Sequence, residues 1–193
     1  MKLAAFATAL ALSWMNFVSA EPVCDPMAGI QVFDKEPSTG LSEYRTISCA
    51  TGLDAPKVLP INDTTIDWWY FDAVGNDGIS SLVVVFFLRG ADSGFPGPSY
   101  DGVPWIQVTG TYPNGTSFLL NFIGDEAIVS SSGQGANGIW GGENHNVSFT
   151  GTPDLSEYQV EFHTEAISGM FNIKSVSARR ELIMAALKDE GVN

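Results

Sequence analysis

The chain contains 193 residues and carries a formal net charge of −13 at neutral pH. An acidic chain is repelled by phosphate backbones and anionic lipid headgroups, which argues against nucleic acids and anionic membrane surfaces as partners. The length is sufficient for one domain with its own hydrophobic core.

The N-terminus has the pattern of a secretory signal peptide. Lys2 precedes an apolar run from Leu3 to Leu12, and the small residues Val18-Ser19-Ala20 form a cleavage site. The apolar run is short for a membrane span, which disfavours a signal anchor. We therefore expect residues 1–20 to be a signal peptide and the chain to enter the secretory pathway, as a secreted or vesicular protein.

Two further features fit that route. The chain has two cysteines, Cys24 and Cys49, which in a secreted protein predict one disulfide, with two buried free thiols as the alternative. Three Asn-x-Ser/Thr sequons fall at predicted loops or strand ends, so we expect glycosylation at Asn62, Asn114 and Asn146.

The segment 21–177 predicts an all-β domain. Alternating apolar residues and turn signals define two hairpins, 65–74 with 79–89 and 105–112 with 117–123. Other strands are expected at 127–131, 146–150, 155–164 and 167–176, with short edge strands at 29–33 and 44–48. Regularly spaced strands of this kind are typical of an antiparallel β-sandwich or an open barrel.

Two segments rich in glycine connect these strands. The loop 90–104 carries Phe95 and Tyr100, two aromatic residues that could lie over the mouth of a cavity. The segment 132–146 is predicted to be a wide turn that places Trp140 and Asn144, and because no basic residue accompanies it we do not expect a phosphate site there.

The C-terminal segment changes character. Residues 178–188 have the composition and the apolar spacing of a helix. We expect 178–193 to be either a short helix packed on the sheet or the tail of a truncated chain.

The most informative strand is predicted at 65–74, where four aromatic residues stand in a row between two aspartates. Alternation puts these residues on two faces: Asp67, Trp69 and Phe71 on one, and Trp68, Tyr70 and Asp72 on the other. A buried carboxylate is costly unless it is paired or useful, so the strand is a candidate wall of a ligand pocket. The alternative is a central strand with one aspartate at each solvent-exposed end.

The remaining chemistry gives weaker signals. A serine triad is disfavoured, since there is no Gly-x-Ser-x-Gly motif and the chain has two histidines, His145 and His163. No clustered ligand spacing predicts a metal site. The carboxylates that could serve glycoside hydrolysis are Asp67, Asp72, Asp125, Glu126 and Glu143. The tryptophans Trp68, Trp69, Trp105 and Trp140 suit sugar stacking and polyene binding equally.

The run Asp67-Trp68-Trp69-Tyr70-Phe71-Asp72-Ala73-Val74, followed by a Gly/Asp turn and Ser81-Leu82-Val83-Val84-Val85-Phe86, resembles the N-terminal half of the hydroxyneurosporene-synthase-like family. It is most similar to the fungal Diels–Alderases. The resemblance implies a β-sandwich followed by a lipocalin-like barrel, with the substrate held between them. It also implies a cofactor-free intramolecular [4+2] cycloaddition of a linear polyene polyketide–amino-acid intermediate.

The resemblance also implies that Trp68, Tyr70 and Asp72, or Asp67 and Trp69, line the pocket. We expect catalytic roles for Asp67, Asp72 and Tyr70, and substrate contacts from Trp68, Trp69, Trp105, Trp140 and Asn144. Either face of the aromatic strand could line the pocket. Because no second barrel follows residue 177, we expect that barrel to be missing or to come from a separate partner chain.

Two other functions remain open from the sequence. One is a carbohydrate-binding or carbohydrate-active β-sandwich that uses exposed tryptophans. The other is a non-catalytic domain that binds a lipophilic ligand. The sequence does not define the oligomeric state.

Overall fold

The computed structural model describes residues 29–44, 54–95, 102–131 and 135–175. These residues form twelve β-strands in three antiparallel sheets and contain no helix. Within these ranges we find no helix with the length and hydrophobicity required to cross a membrane. The all-β prediction is therefore confirmed.

The strands follow the chain in order: β1 (Ile30–Asp34), β2 (Glu43–Tyr44), β3 (Val58–Leu59), β4 (Ile66–Val74), β5 (Ser81–Arg89), β6 (Pro104–Thr111), β7 (Ser117–Ile123), β8 (Glu126–Ser131), β9 (Ala136–Gly142), β10 (His145–Gly151), β11 (Glu157–His163) and β12 (Ser168–Lys174). A four-stranded sheet has the order β4-β5-β6-β7, and a six-stranded sheet has the order β1-β8-β9-β10-β11-β12. The short strands β2 and β3 pair with each other.

Both predicted hairpins are confirmed, and together they make the four-stranded sheet. Strand β4 pairs along its whole length with β5, and β6 pairs likewise with β7. The first turn closes with a hydrogen bond from the Gly75 amide to the Ser80 carbonyl (2.7 Å). Apolar alternation combined with a Gly/Asp turn fixes both the pairing and its register.

The hydrophobic core lies between the two large sheets, which makes the domain a β-sandwich. The four-stranded sheet contributes Trp69, Phe71 and Phe86, while the six-stranded sheet contributes Trp140 and Phe149. These rings pack edge-to-face or tilted, as between Trp69 and Trp140 (5.5 Å, 68°). Large aromatic side chains therefore supply much of the buried area.

The prediction of a wide turn at 132–146 is wrong, because residues 136–142 form strand β9 and residues 145 and 146 begin strand β10. The glycines of β9 make room for rings: a Cβ on Gly138 would lie 2.4 Å from the Phe149 ring, and one on Gly142 would lie 2.3 Å from the His145 ring. Trp140 points into the core instead of standing in a turn. The true turn contains Glu143 and Asn144 and joins β9 to β10.

Several predictions fall on residues outside the described ranges. These are the signal peptide 1–20, the disulfide between Cys24 and Cys49, Tyr100 and the helix or tail at 178–193.

Candidate functional site

Strand β4 separates the predicted site residues onto opposite faces of the four-stranded sheet. Asp67, Trp69 and Phe71 are buried and face the six-stranded sheet. On the other face, Trp68 is 51% exposed and Tyr70 is 55% exposed, and Asp72 is exposed beside them. The face that carries Trp68, Tyr70 and Asp72 is thus the one that a ligand can reach.

Asp67 holds the preceding segment against β4. Its carboxylate accepts backbone hydrogen bonds from the amides of Lys57 (2.6 Å), Val58 (3.3 Å) and Trp68 (3.0 Å). Burial raises the pKa of Asp67, and these hydrogen bonds and the charge of Lys57 oppose the rise. Burial likewise lowers the pKa of Lys57, against the charges of Asp54 and Asp67. Asp67 therefore stabilises the packing of residues 57 and 58 against β4.

Two of the predicted substrate-binding tryptophans belong to the core. The Trp69 indole donates a hydrogen bond to the Asp54 carbonyl (2.9 Å), and the Trp140 indole donates one to the Phe87 carbonyl of the opposite sheet (2.9 Å). Trp140 has no exposed surface, and Trp69 has almost none. Neither ring is available to stack on a ligand at the surface of this domain.

The outer face of the four-stranded sheet carries a second aromatic cluster. Trp68 is the cross-strand neighbour of Phe87, and Phe87 is the neighbour of Trp105. The rings of Phe87 and Trp105 stack at 4.3 Å and 13°, and Phe95 lies over Trp68 at 6.2 Å and 26°. We call these residues the outer aromatic face: Trp68, Tyr70, Phe87, Phe95 and Trp105.

The exposed and buried members of the outer aromatic face have different roles. Trp105 is completely buried beneath its neighbours, and its indole donates a hydrogen bond to Asn121 (3.2 Å). Trp105 therefore packs beneath the exposed rings, and its own ring is not accessible to a ligand. Trp68, Tyr70 and Phe95 form the accessible surface, which extends over β7 through the exposed Leu119 and Ile123. An apolar sheet face of this kind marks a binding or interdomain surface.

The positively charged side chain of Arg89 lies at one end of the outer aromatic face. Arg89 is 5% exposed, and its guanidinium lies 5.2 Å from the centre of the Trp105 ring. Its Nη1 donates to the Phe95 carbonyl (2.9 Å). In the sequence, Arg89 is the last residue of a predicted apolar strand, and no predicted site includes it. Strand alternation could have identified Arg89 as a residue of the site, because it places Arg89 on the same outer face as Phe87.

Tyr70 and Asp72 also border a groove of about 310 Å³ at the β4 edge of the sandwich. Asp54 and Tyr158 line its other side, where the Tyr158 hydroxyl donates to the Asp54 carboxylate. The groove supplies hydroxyl and carboxylate groups next to the outer aromatic face. Asn144, in contrast, is exposed in the β9–β10 turn of the other sheet.

A larger groove lies elsewhere in the part of the chain that the structure describes. It has a volume of about 610 Å³ and runs between β1 and the segment around Leu59–Ile61. None of the predicted catalytic or substrate-binding residues lines it. Its position therefore gives no support to the predicted site.

The candidate glycosidase carboxylates fall in two regions. Asp67 and Asp72 lie in β4, whereas Asp125, Glu126 and Glu143 lie near the end of β9 that pairs with the start of β8. Asp125 lies 3.5 Å from Lys35 beside the six-stranded sheet, and Glu143 is exposed in the β9–β10 turn. Of the two grooves described above, the one at the β4 edge contains Asp72 alone of the five, and the one beside β1 contains none. Among the residues that the structure describes, no group of three or more His, Cys, Asp and Glu side chains is placed to hold a metal ion.

Comparison with known proteins identifies several relatives of this chain. The chain is 34% identical over 145 residues to the quinolone epoxide rearrangement protein asqO of Emericella nidulans, which covers 73% of this chain and 39% of that protein. It is 31% identical over 133 residues to the Diels-Alderase phmD of Phaeosphaeria nodorum, covering 67% of this chain and 36% of that protein. The chain thus spans about two fifths of the length of these relatives.

The fold has a solved counterpart in the crystal structure of CghA with Sch210972. The two structures superpose with a TM-score of 0.64 at 21% identity, over 78% of this chain and 40% of that chain. Residues 29–182 match the family described as Diels-Alderase-like. This match takes in both sheets of the sandwich and confirms the resemblance carried by the aromatic strand, so the chain belongs to the Diels-Alderase-like family.

Proposed function

We propose that this domain forms one wall of a pocket in which a linear polyene undergoes intramolecular [4+2] cycloaddition in secondary-metabolite biosynthesis. The observation that supports this most directly is the outer aromatic face, where Trp68 and Tyr70 are each about half exposed above a layer of buried rings. Relatives named Diels-Alderases match 63–67% of this chain at 24–31% identity.

The geometry suits a reaction that depends on the substrate's conformation. A flexible polyene reacts when its diene and dienophile are held together, and a protein that holds them in this geometry lowers the entropic part of the activation barrier. The rings of Trp68, Phe95 and Tyr70 offer a flat apolar surface for such a chain. The Tyr70 hydroxyl, next to these rings, can donate a hydrogen bond that polarises a carbonyl-bearing dienophile, and the Asp72 carboxylate can orient the substrate by accepting a hydrogen bond from its N–H or O–H groups.

A second wall is required to exclude water from this surface. We propose that a lipocalin-like barrel, either in the same polypeptide or in a separate partner chain, covers the four-stranded sheet and encloses the substrate. The exposed apolar residues at the sheet's outer side support this arrangement, since Trp68, Leu119 and Ile123 are each at least 40% exposed. No cofactor has a role in this mechanism.

The first test is the cyclisation of a linear polyene tetramate by the protein together with the barrel. We expect Trp68→Ala to slow cyclisation by roughly tenfold, which corresponds to the loss of about one aromatic contact. Tyr70→Phe and Asp72→Asn should change the rate or the stereochemical outcome. Met170→Ala removes an equally exposed apolar side chain from the six-stranded sheet and is the matched control. Equal effects of Trp68→Ala and Met170→Ala would contradict the assignment of the outer face.

A second candidate function is the rearrangement of a quinolone epoxide. The relatives asqO and penF carry that description and are each 34% identical to this chain. A planar bicyclic ring could stack on Trp68 in the place of a polyene. Presenting both substrate classes to the same preparation separates the two functions, because the correct one gives a new product and the other is recovered unchanged.

Two other functions follow from the sequence. A sugar-binding surface that uses Trp105 and Trp140 does not fit the geometry, because both rings are completely buried. A non-catalytic lipophile-binding domain would use the same outer aromatic face. It is distinguished by saturable polyene binding that leaves the product profile unchanged.

We also propose that the protein follows the secretory route, with a cleaved leader, a Cys24–Cys49 disulfide and a glycan at Asn114. Asn114 is exposed at the tip of the β6–β7 turn, and its Oδ1 accepts from the Thr116 hydroxyl (2.7 Å). Asn62 differs, because its Nδ2 donates to the Gly40 carbonyl (3.1 Å). Asn146 is half-buried in β10, between β9 and β11.

Expression in yeast behind a secretory leader tests the glycan. We expect one N-glycan, seen as a mass shift on enzymatic deglycosylation, which Asn114→Gln abolishes and Thr116→Ser preserves. Asn62→Gln should leave it in place. A glycan that persists in Asn114→Gln, or a secreted protein without any glycan, would refute this assignment.

A further inference from the structure

Arg89 connects the loop after β5 to the outer aromatic face. A buried guanidinium must be paired or stacked, because removing its charge from water is costly. Two of its contacts lie on this face: the Trp105 ring, 5.2 Å from its Cζ, and the Phe95 carbonyl, 2.9 Å from its Nη1. The first is a cation–π contact and the second is a charge-assisted hydrogen bond.

The loop that carries Phe95 is anchored at its start by the backbone. The Gly90 amide donates to the Thr65 carbonyl (2.9 Å), and the Asp92 amide donates to the Asp63 carbonyl (2.8 Å). Gly90 is required at this approach, since a Cβ there would lie 2.1 Å from the Asn62 carbonyl oxygen. These two backbone hydrogen bonds fix the start of the loop, where it leaves β5. The hydrogen bond from Arg89 holds the loop further along, at Phe95, three residues after Asp92.

The Phe95 ring is the part of this loop that reaches the candidate site. It lies over Trp68 (6.2 Å, 26°) and against Phe87 (5.2 Å, 46°). Trp68 is exposed only over about half of its surface, and Phe95 is 38% exposed. The position of the Phe95 ring therefore decides how much of the Trp68 indole is open to a ligand.

We infer that Arg89 is a positioning residue, which holds Phe95 against Trp68 and thereby sets the extent of the outer aromatic face that a polyene can contact. Its functional consequence rests on the function proposed above. Trp105 contributes from beneath, because its buried ring supports the guanidinium from one side. Lysine would reproduce this only in part, since it lacks the planar fork that can stack on an indole and donate to a carbonyl together.

Acrylamide quenching of Trp68 fluorescence tests the positioning without any substrate. Trp69, Trp105 and Trp140 are buried, so among the described tryptophans Trp68 is the one open to a quencher. Its signal is obtained as the difference from the same protein with Trp68→Phe. We expect Arg89→Met and Phe95→Ala each to raise the Trp68 quenching constant by roughly 1.5-fold, because Phe95→Ala removes the ring that covers one side of the indole and Arg89→Met removes the hydrogen bond that holds this ring in place.

The double variant makes the test specific to the Arg89–Phe95 contact. Once Phe95 is alanine, adding Arg89→Met should change quenching little further, which is the non-additivity expected of two residues acting through one contact. Arg89→Lys should restore part of the wild-type protection. A folded Arg89→Met protein with unchanged quenching, or additive effects of the two substitutions, would overturn the inference. Phe95→Ala and Arg89→Lys keep the test decisive if Arg89→Met does not fold.

A binding experiment then separates this inference from the proposed function. With cis-parinaric acid, a fluorescent linear tetraene, we expect weaker binding to Trp68→Ala and a changed affinity for Arg89→Met. Binding that is lost with Trp68→Ala but unaltered by Arg89→Met would overturn the inference alone. Absence of polyene binding by the wild-type protein together with the barrel would refute the proposed function, while the quenching result would still decide the role of Arg89.

Discussion

The two aspartates of β4 lie five positions apart and have opposite environments. Asp67 is buried and accepts three backbone amides, whereas Asp72 is exposed on the outer face. Sequence alternation correctly predicted that they occupy different faces. The alternation did not predict which face packs into the core, because both faces carry aromatic side chains. The amides of Lys57 and Val58, which bind the buried Asp67 carboxylate, lie in a segment without strong periodicity.

A third aspartate, Asp154 in the β10–β11 turn, predicts a dependence of stability on pH. Its carboxylate accepts from the Thr152 hydroxyl (2.7 Å), the Ser156 hydroxyl (2.8 Å) and the Ser156 amide (3.2 Å), and these bonds lower its pKa from 3.8 to about 2. Since the folded pKa is the lower one, the charged form favours folding above pH 3.8, and this contribution is lost as the pH falls to about 2.

Urea unfolding of wild type and Asp154→Asn at a series of pH values measures this contribution. We expect the wild type to be the more stable protein at pH 6, and the difference in free energy of unfolding to shrink between pH 4 and pH 2. Thr152→Ala, which removes one donor, should give a smaller difference over the same range. A difference that is independent of pH would contradict the prediction.

At the scale of elements, β9 shows how glycine can mislead a sequence-based prediction. Turn propensity made 132–146 a wide turn, but Gly138 and Gly142 lie in a strand opposite aromatic rings, with Trp140 between them. The β4–β5 and β6–β7 hairpins were predictable because their signals are local. The β9 strand was not, since its glycines are explained by Phe149 and His145 on the neighbouring strand.

This interpretation of β9 predicts different effects for two glycines of the same strand. A Cβ on Gly138 would lie 2.4 Å and 2.7 Å from atoms of the Phe149 ring, while a Cβ on Gly141 would have no atom within 4 Å. We expect Gly138→Ala to lower the free energy of unfolding by about 1–3 kcal/mol through overpacking. Gly141→Ala is the matched control and should be close to neutral in urea denaturation. Equal losses would show that the rings do not require the glycine.

At the scale of the whole molecule, the fold class could be predicted and the accessible part of the site could not. Patterning defines the two-layer sandwich, and the indole of Trp140 joins its layers by a hydrogen bond to the Phe87 carbonyl. Trp68, Trp69, Trp105 and Trp140 were equivalent in the sequence. The structure leaves only Trp68 of these four at the surface, because ring exposure depends on which sheets pack together.

Strand β5 has an unusual position in this molecule. From Val84 to Arg89 every residue is buried, and the side chains divide between the sandwich core and the outer cluster of Val85, Phe87 and Trp105. Most antiparallel strands with a wet side tolerate polar replacements at every second position. In residues 84–89 of β5, both faces are buried, so polar replacements are not tolerated at alternate positions. We therefore expect functional homologues to keep apolar residues at consecutive positions of this segment.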